Sequence, residues 1–293
     1  MTPELTHLRA QVEAALDQRL PTQSDIAQPV LDAMRHAVLG GGKRLRPMLV
    51  CAASEACGGR VEDAMDCASA IEFIHAYSLI HDDLPAMDDD ELRHGLPAAH
   101  VAFGEANAIL AGDSLHSLAF QTIADSTAHS AERRLKIITL LSDAAGWAGM
   151  AGGQCLDIEA EGEVLGLERL HALHAAKTGA LIRVAVQIGA LCAQEEPDKA
   201  TFAALTAIGD RIGLAFQVMD DVLDVTQSTD KLGKPAGSDE ALDKNTFPKL
   251  MGLDAAKQYA HELVQQAHAL LKTHQLQGNR LEALVNLVVE RDH

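Results

Sequence analysis

An all-α chain is predicted by three features of the sequence. Apolar residues make up 47% of it with alanine frequent, yet aromatics only 3%, which suits closely packed helices better than a β-sandwich. Apolar positions recur at threes and fours, and no segment shows convincing strand alternation. Gly and Pro gather in connections such as Gly58-Gly59, Gly95-Leu96-Pro97, Gly152-Gly153 and Lys231 to Gly237. No Ser/Gly/Pro linker divides the 293 residues, so residues 1–293 read as a single domain.

Ten helices are expected, at about 4–19, 24–38, 44–57, 61–83, 105–125, 131–147, 165–193, 199–226, 253–273 and 279–291. The start, Met1-Thr2-Pro3-Glu4, is not a signal peptide, and no uncharged stretch approaches the ~18 residues of a membrane span. A cytoplasmic location is therefore expected. With 42 acidic against 24 basic residues the net charge is −18, which argues against nucleic acid as a partner but leaves room for a local basic pocket. Such a pocket is suggested between the second and third helices. There Gly40-Gly41-Gly42-Lys43-Arg44-Leu45-Arg46-Pro47 sets bare backbone amides beside three cations, a combination that suits a diphosphate or simply a solvated helix-start turn. It is not a Walker A loop, because Ala37 and Arg44 stand where Gly and Ser/Thr are needed.

The fourth helix, mostly apolar from Met65 to Ile80, runs into Asp82-Asp83-Leu84-Pro85-Ala86-Met87-Asp88-Asp89-Asp90-Glu91, in which six of ten residues are carboxylates. Pro85 turns Leu84 out of the α region, so these acids sit at a helix C-terminus, where the dipole and each other disfavour them. Water around a loose loop or a bound cation would compensate them. Glu72, His75 and His81 on the same helix read as site residues or as hydrogen-bonded core. In the fifth helix Gly112-Asp113-Ser114-Leu115 spells a serine-esterase signature, but Ser114 lies inside a helical pattern, and Asp292-His293 lack the spacing of triad partners. A polar helix residue is the better reading.

Lys177-Thr178 falls midway in the apolar run from Leu170 to Cys192, where an ammonium requires an anion, a dipole or a route to the surface. In the eighth helix Phe202, Leu205, Ile208, Ile212, Phe216, Met219 and Leu223 form a core-facing stripe, and Gln217-Val218-Met219-Asp220-Asp221-Val222-Leu223-Asp224 repeats the paired-Asp theme beside it. Asp220 and Asp224 share one helix face, about 40° apart. Two all-oxygen clusters without Cys or His at ligand spacing select a hard cation; Mg²⁺ held by carboxylates together with substrate phosphates fits, so a phosphorylated substrate is implied. Cys51, Cys57, Cys67, Cys155 and Cys192 contain no C-x-x-C pair and are read as small core residues, neither a disulfide framework nor a zinc site.

In combination these residues resemble the trans-isoprenyl diphosphate synthases. The resemblance rests on Gly41 to Pro47, on Asp82-Asp83-x-x-x-x-Asp88 with Arg93, on Lys177-Thr178-Gly179, on Phe216-Gln217 with Asp220-Asp221-x-x-Asp224, and on Gly233-Lys234 with Lys244, in order from about residue 40 to 250. The wording from Ile74 to Asp88 is similar to that of bacterial farnesyl diphosphate synthases. The resemblance implies helices around a deep central cavity, the aspartate motifs facing each other at its mouth, and usually a homodimer. It implies up to three Mg²⁺, replaceable by Mn²⁺, bound with an allylic diphosphate by Asp82, Asp88 and Asp220, with Asp83, Asp221 and Asp224 orienting them. Arg93, Lys177, Lys234 and Lys244 would hold the allylic diphosphate, and Gly42, Lys43, Arg46, His75 and His94 that of isopentenyl diphosphate. Lys177, Thr178 and Gln217 would stabilise an allylic cation. Tyr77, with Ser78, would limit the product to C15, as an aromatic five positions before the first motif does in this family. His94 departs from the family's usual second Arg, giving one neutral donor in place of a charged fork. A C20 synthase and a non-catalytic subunit of a heteromeric synthase stay open as alternatives.

Overall fold

The computed structural model describes residues 1–160, 162–194, 196–226, 245–276 and 279–290. Its helices are α1 (Pro3–Arg19), α2 (Gln28–Leu39), α3 (Leu45–Ala56), α4 (Val61–Asp82), α5 (Ala99–Phe103), α6 (Glu105–Ala124), α7 (Ala131–Ala145), α8 (Met150–Glu159), α9 (Leu167–His174), α10 (Ala180–Ala193), α11 (Lys199–Thr226), α12 (Phe247–Met251), α13 (Leu253–Thr273) and α14 (Asn279–Glu290). Helix α10 sits at the centre, packed on α3, α4, α7 and α11, while α4 packs on α6 and α11 on α13. One apolar cluster runs from Leu5 to Val288, with Phe73, Met48 and Leu49 wholly buried. Each such side chain contributes ~1.5–3 kcal/mol.

Local chemistry explains where the helices begin. The Thr2 hydroxyl accepts the Leu5 N–H and Pro3 occupies the first turn of α1; Ser130 caps α7 in the same way. Helix α2 starts at Gln28 rather than 24, because the Ser24 hydroxyl is used in a turn, accepting the Ala27 N–H at 3.0 Å, and Pro29 needs a first-turn position.

Four elements were not legible from periodicity, the short α5 among them. Helix α8 contains Gly152-Gly153, which the sequence suggests is a connection. Residues 92–97 form a two-stranded ribbon, Leu92–Arg93 on Leu96–Pro97, whose turn residues His94 and Gly95 both have positive φ, 54° and 78°. That is the two-residue hairpin geometry that strand twist favours. Short α12 begins beside the site described below, its Phe247 N–H bonded to Asp221.

The cysteine reading is corrected in part: Cys51, Cys67 and Cys192 are buried, but Cys57 is half-buried and Cys155 exposed. Two apolar stretches, Leu167–Ala193 and Lys199–Thr226, have the length and composition of membrane spans, which the expectation from uncharged runs passed over; 72% and 50% of their apolar windows are buried inside the fold.

Candidate active site

A cavity of about 770 Å³ opens between the C-terminal end of α4, the α2–α3 turn, α8, the segment after α9 and α11. Asp82 ends α4, and Asp83 caps it through its N–H to the Leu79 carbonyl. The chain then curls back, with the Asp88 N–H donating to the Asp82 carbonyl at 2.8 Å, so the loop returns Asp88 beside Asp82. Both line the cavity, and Asp220 and Asp221 line it from α11. Burial pushes the Asp82 carboxyl up to about 6, Lys177 opposing and Asp88 adding to the rise.

The other motif acids have partners in the wall. Asp83, 2% exposed, accepts a forked pair of bonds from Arg93 and does not line the cavity. Burial raises its carboxyl while Arg93 opposes. Asp221 takes the Gln217 amide on Oδ1 and the Phe247 backbone N–H on Oδ2, each at 2.9 Å, so it ties α11 to the start of α12. Asp224 is buried and away from the cavity lining. The bonds to Arg93 and to Gln217 and Phe247 give the expected orienting role of Asp83 and Asp221 a physical form, and Asp221 also lines the cavity.

Lys177 and Thr178 are presented by a π-helical turn, Ala175–Gly179, inserted between α9 and α10. Such a turn holds one extra residue and re-aims the side chains it carries. Helix α8 seats against it at Gly153, where a Cβ would lie 2.1 Å from the Lys177 backbone nitrogen. This contact explains the glycine inside a helix. The Lys177 ammonium pairs with Asp157 of α8 at 2.6 Å, and the Thr178 hydroxyl donates to the Gln217 carbonyl at 2.9 Å. The half-buried lysine therefore has an anion and stays on the cavity wall.

On the opposite side Gly41 and Gly42, at φ 123° and 111°, bend the chain into α3, and His94 stacks its ring over them, 3.3 Å from where a Gly42 Cβ would stand. Arg44 turns inward to a buried pair with Glu72 at 2.8 Å. Arg46 lines the cavity and donates to His75 Nε2 at 3.2 Å. Burial, opposed by Glu72 and Asp220, lowers Arg46; burial and then Arg46 hold His75 well below its usual range, so it is neutral and accepts. The surroundings of His94, then Arg93, Arg44 and Lys43, push it down to about 4. It too is neutral.

Tyr77 lines the cavity below Asp82 and meets His81 and His116 edge-on, at 5.7 and 5.1 Å between ring centroids. Ser78 lines it too, its hydroxyl bonded to the His75 carbonyl. Lys234 and Lys244 lie outside the described residues. Ser114 does not line the cavity; the glycine of its motif lets α6 approach α4, since a Cβ at Gly112 would meet the His81 ring 2.3 Å away. Sequence reasoning missed Gln154, Asp157 and Asp90 on the cavity wall. Gln154 and Asp157 stand three apart and would have been visible had Gly152-Gly153 been read as helix.

This arrangement sets acids and cations at the mouth of an apolar pocket, a geometry for a metal-neutralised polyanion with an apolar tail. The comparisons agree. The polyprenyl synthetase family matches residues 27–288. The farnesyl diphosphate synthase of Escherichia coli (strain K12) is 48% identical over 269 residues, covering 90% of both chains. A chloroplastic geranylgeranyl pyrophosphate synthase 7 of Arabidopsis thaliana is 42% identical over 290 residues, covering 95% of this chain and 82% of its own. A geranyltransferase from Helicobacter pylori, crystallised with magnesium and isoprenyl diphosphate, superposes with a TM-score of 0.87 at 33% identity over 99% and 97% of the chains. By sequence over nearly its whole length, and by a fold shared with solved structures of its relatives, this chain belongs to the polyprenyl synthetase family.

Proposed function

We propose that this single-domain chain is a Mg²⁺-dependent prenyltransferase that condenses isopentenyl diphosphate head-to-tail with dimethylallyl or geranyl diphosphate to give (2E,6E)-farnesyl diphosphate. The observation that carries the reading is the cavity itself, with Asp82 and Asp88 on one rim, Asp220 on the other and Tyr77 deeper on its wall. The donor set fits the ion: Asp82 is raised by burial and by Asp88, and among the described residues no three of these carboxylates converge enough to enclose a cation unaided. Substrate phosphates would complete the shell, as is usual for Mg²⁺. Asp82, Asp88 and Asp220 would hold the ions, up to three, with Mn²⁺ able to replace them. Bound there, the metal supplies Lewis-acid neutralisation of the leaving diphosphate.

Arg93 and Lys177 lie where they reach the same diphosphate by charge-assisted bonds. Lys43, Arg46 and neutral His75 receive that of isopentenyl diphosphate. As the allylic C–O bond breaks, the Thr178 and Gln217 dipoles face the cation, and Tyr77, Phe216 and Leu223 keep water away. The double bond of isopentenyl diphosphate attacks, and the proton lost in forming the new alkene passes to the departed diphosphate. No nucleophilic side chain is needed. A homodimer is our assignment for the active form, supported by exposed Ile109, Leu110 and Leu135 on α6 and α7, and the cytoplasm for its location.

A C20 product is the second reading, favoured by the geranylgeranyl synthase among the relatives. Incubation with labelled isopentenyl diphosphate and dimethylallyl diphosphate, followed by product sizing, decides. C15 is expected from the native chain and C20 or longer from Tyr77→Ala; an unchanged C15 product from the folded variant removes Tyr77 as the limit, and no condensation product refutes the activity.

A further inference from the structure

We propose that Cys67, His129 and Cys192 form a buried thiolate–imidazole site for zinc, separate from the carboxylate cavity. The three come from α4, from the connection between α6 and α7, and from the C-terminal end of α10, and their ligand atoms all lie within 4.8 Å of one another. None of them lines the cavity. Donors around one zinc ion, at ~2.3 Å for sulfur and ~2.0–2.1 Å for nitrogen, stand ~3.5–4 Å apart. Side-chain adjustments of about an ångström close the shell.

The independent observation is the histidine. His129 is 7% exposed, and neither its Nδ1 nor its Nε2 has a hydrogen-bond partner of ordinary geometry. A buried polar group is normally paired, and leaving one unpaired is costly. Here the groups that face it are the thiols of Cys67 and Cys192, 0% and 4% exposed, which are weak donors at best.

Charge selects the ion. Two thiolates and a neutral imidazole bring a charge of −2, so a divalent soft cation makes the set neutral and a monovalent one does not, which matters where an uncompensated buried charge is costly. Binding releases the two thiol protons to solvent and leaves every oxidation state unchanged. A small exogenous ligand such as water completes the tetrahedron. Asp82 lies fifteen residues beyond Cys67 on α4, ~22 Å along the helix. The ion therefore clamps α4, α10 and the 125–130 connection together and takes no part in the reaction.

The test uses the full chain, reduced with a phosphine, stripped with EDTA and titrated with Co²⁺ alone. A near-ultraviolet sulfur-to-cobalt charge-transfer band saturating near one equivalent, lost on adding Zn²⁺, supports the site. The aspartate motifs offer only oxygen and cannot produce that band. It should vanish in Cys67→Ser/Cys192→Ser; should that variant not fold, His129→Leu is expected to weaken Co²⁺ binding by at least about tenfold. Zinc should also raise the melting temperature of the wild type and leave that of the folded variant unmoved. Reduced, folded wild-type chain without the band under excess Co²⁺ overturns the proposal, as does a band of full strength in either variant.

Discussion

Replacing Gly153 with alanine tests how the π-helical turn that carries Lys177 and Thr178 is held. A Cβ there would stand 2.1 Å from the Lys177 nitrogen, 2.5 Å from its Cα and 2.7 Å from the Ala176 carbonyl carbon. All three are backbone atoms, so no side-chain rotation relieves the contact. Either α8 or the π turn must retreat, by about an ångström if the new methyl is to reach ordinary contact. Overpacking of this kind costs about 1–3 kcal/mol, offset by the ~0.8–1 kcal/mol that alanine gains over glycine in a helix. The net loss lowers Tm by no more than a few degrees in a chain of this size. Activity is more sensitive. The retreat separates Lys177 from Asp157, now 2.6 Å apart across the same contact, and displaces Thr178 from Gln217. Misplacement of catalytic groups by about an ångström costs on the order of 10²-fold in rate. Steady-state kinetics should show kcat down by that order with KM for isopentenyl diphosphate nearly unchanged, since Lys43, Arg46 and His75 stand on other elements. Wild-type kcat in the folded variant would refute the reasoning.

Two further outcomes are expected. His94→Arg should lower KM for isopentenyl diphosphate more than that for geranyl diphosphate, because His94, at about 4, is neutral beside the Gly41-Gly42 turn and a guanidinium restores a permanent charge; a larger effect on the allylic substrate would show the role is misassigned. His174, held at about 4 by burial, stays neutral in the folded chain while the unfolded chain protonates near 6.5. The unfolded state therefore binds more protons between those values and stability falls as pH drops through them, by on the order of 3 kcal/mol for this group. Denaturant titrations of wild type and His174→Gln should show a flatter pH dependence in the variant across that window, and parallel curves would contradict the assignment.

The sequence carried the long helices, because a one-sided apolar stripe and caps such as Thr2 and Ser130 are local signals. It also carried both aspartate motifs, since runs of like charge beside an apolar helix demand a partner whatever the fold. What it could not carry depends on neighbours distant in sequence. Gly153 suggests a break until the Lys177 backbone is seen against it. Asp83 and Asp221 differ from Asp82 and Asp220 only through Arg93 and the Phe247 N–H, which reach them from elsewhere in the chain. Cys67, His129 and Cys192 have no motif spacing, and only the packing of α4, α10 and the α6–α7 connection brings them together.

The central claim is that carboxylates on facing rims hold the metal that neutralises the leaving diphosphate. Its most direct test is turnover of isopentenyl diphosphate with geranyl diphosphate in wild type, Asp82→Ala and Asp220→Ala, each with Mg²⁺ and after chelation by EDTA. Loss of a charge-stabilising group typically costs ~10²–10³ in rate, so either variant should fall at least that far while keeping its melting curve, and chelation should abolish wild-type turnover. Undiminished turnover after chelation, or in either folded variant, would contradict the claim.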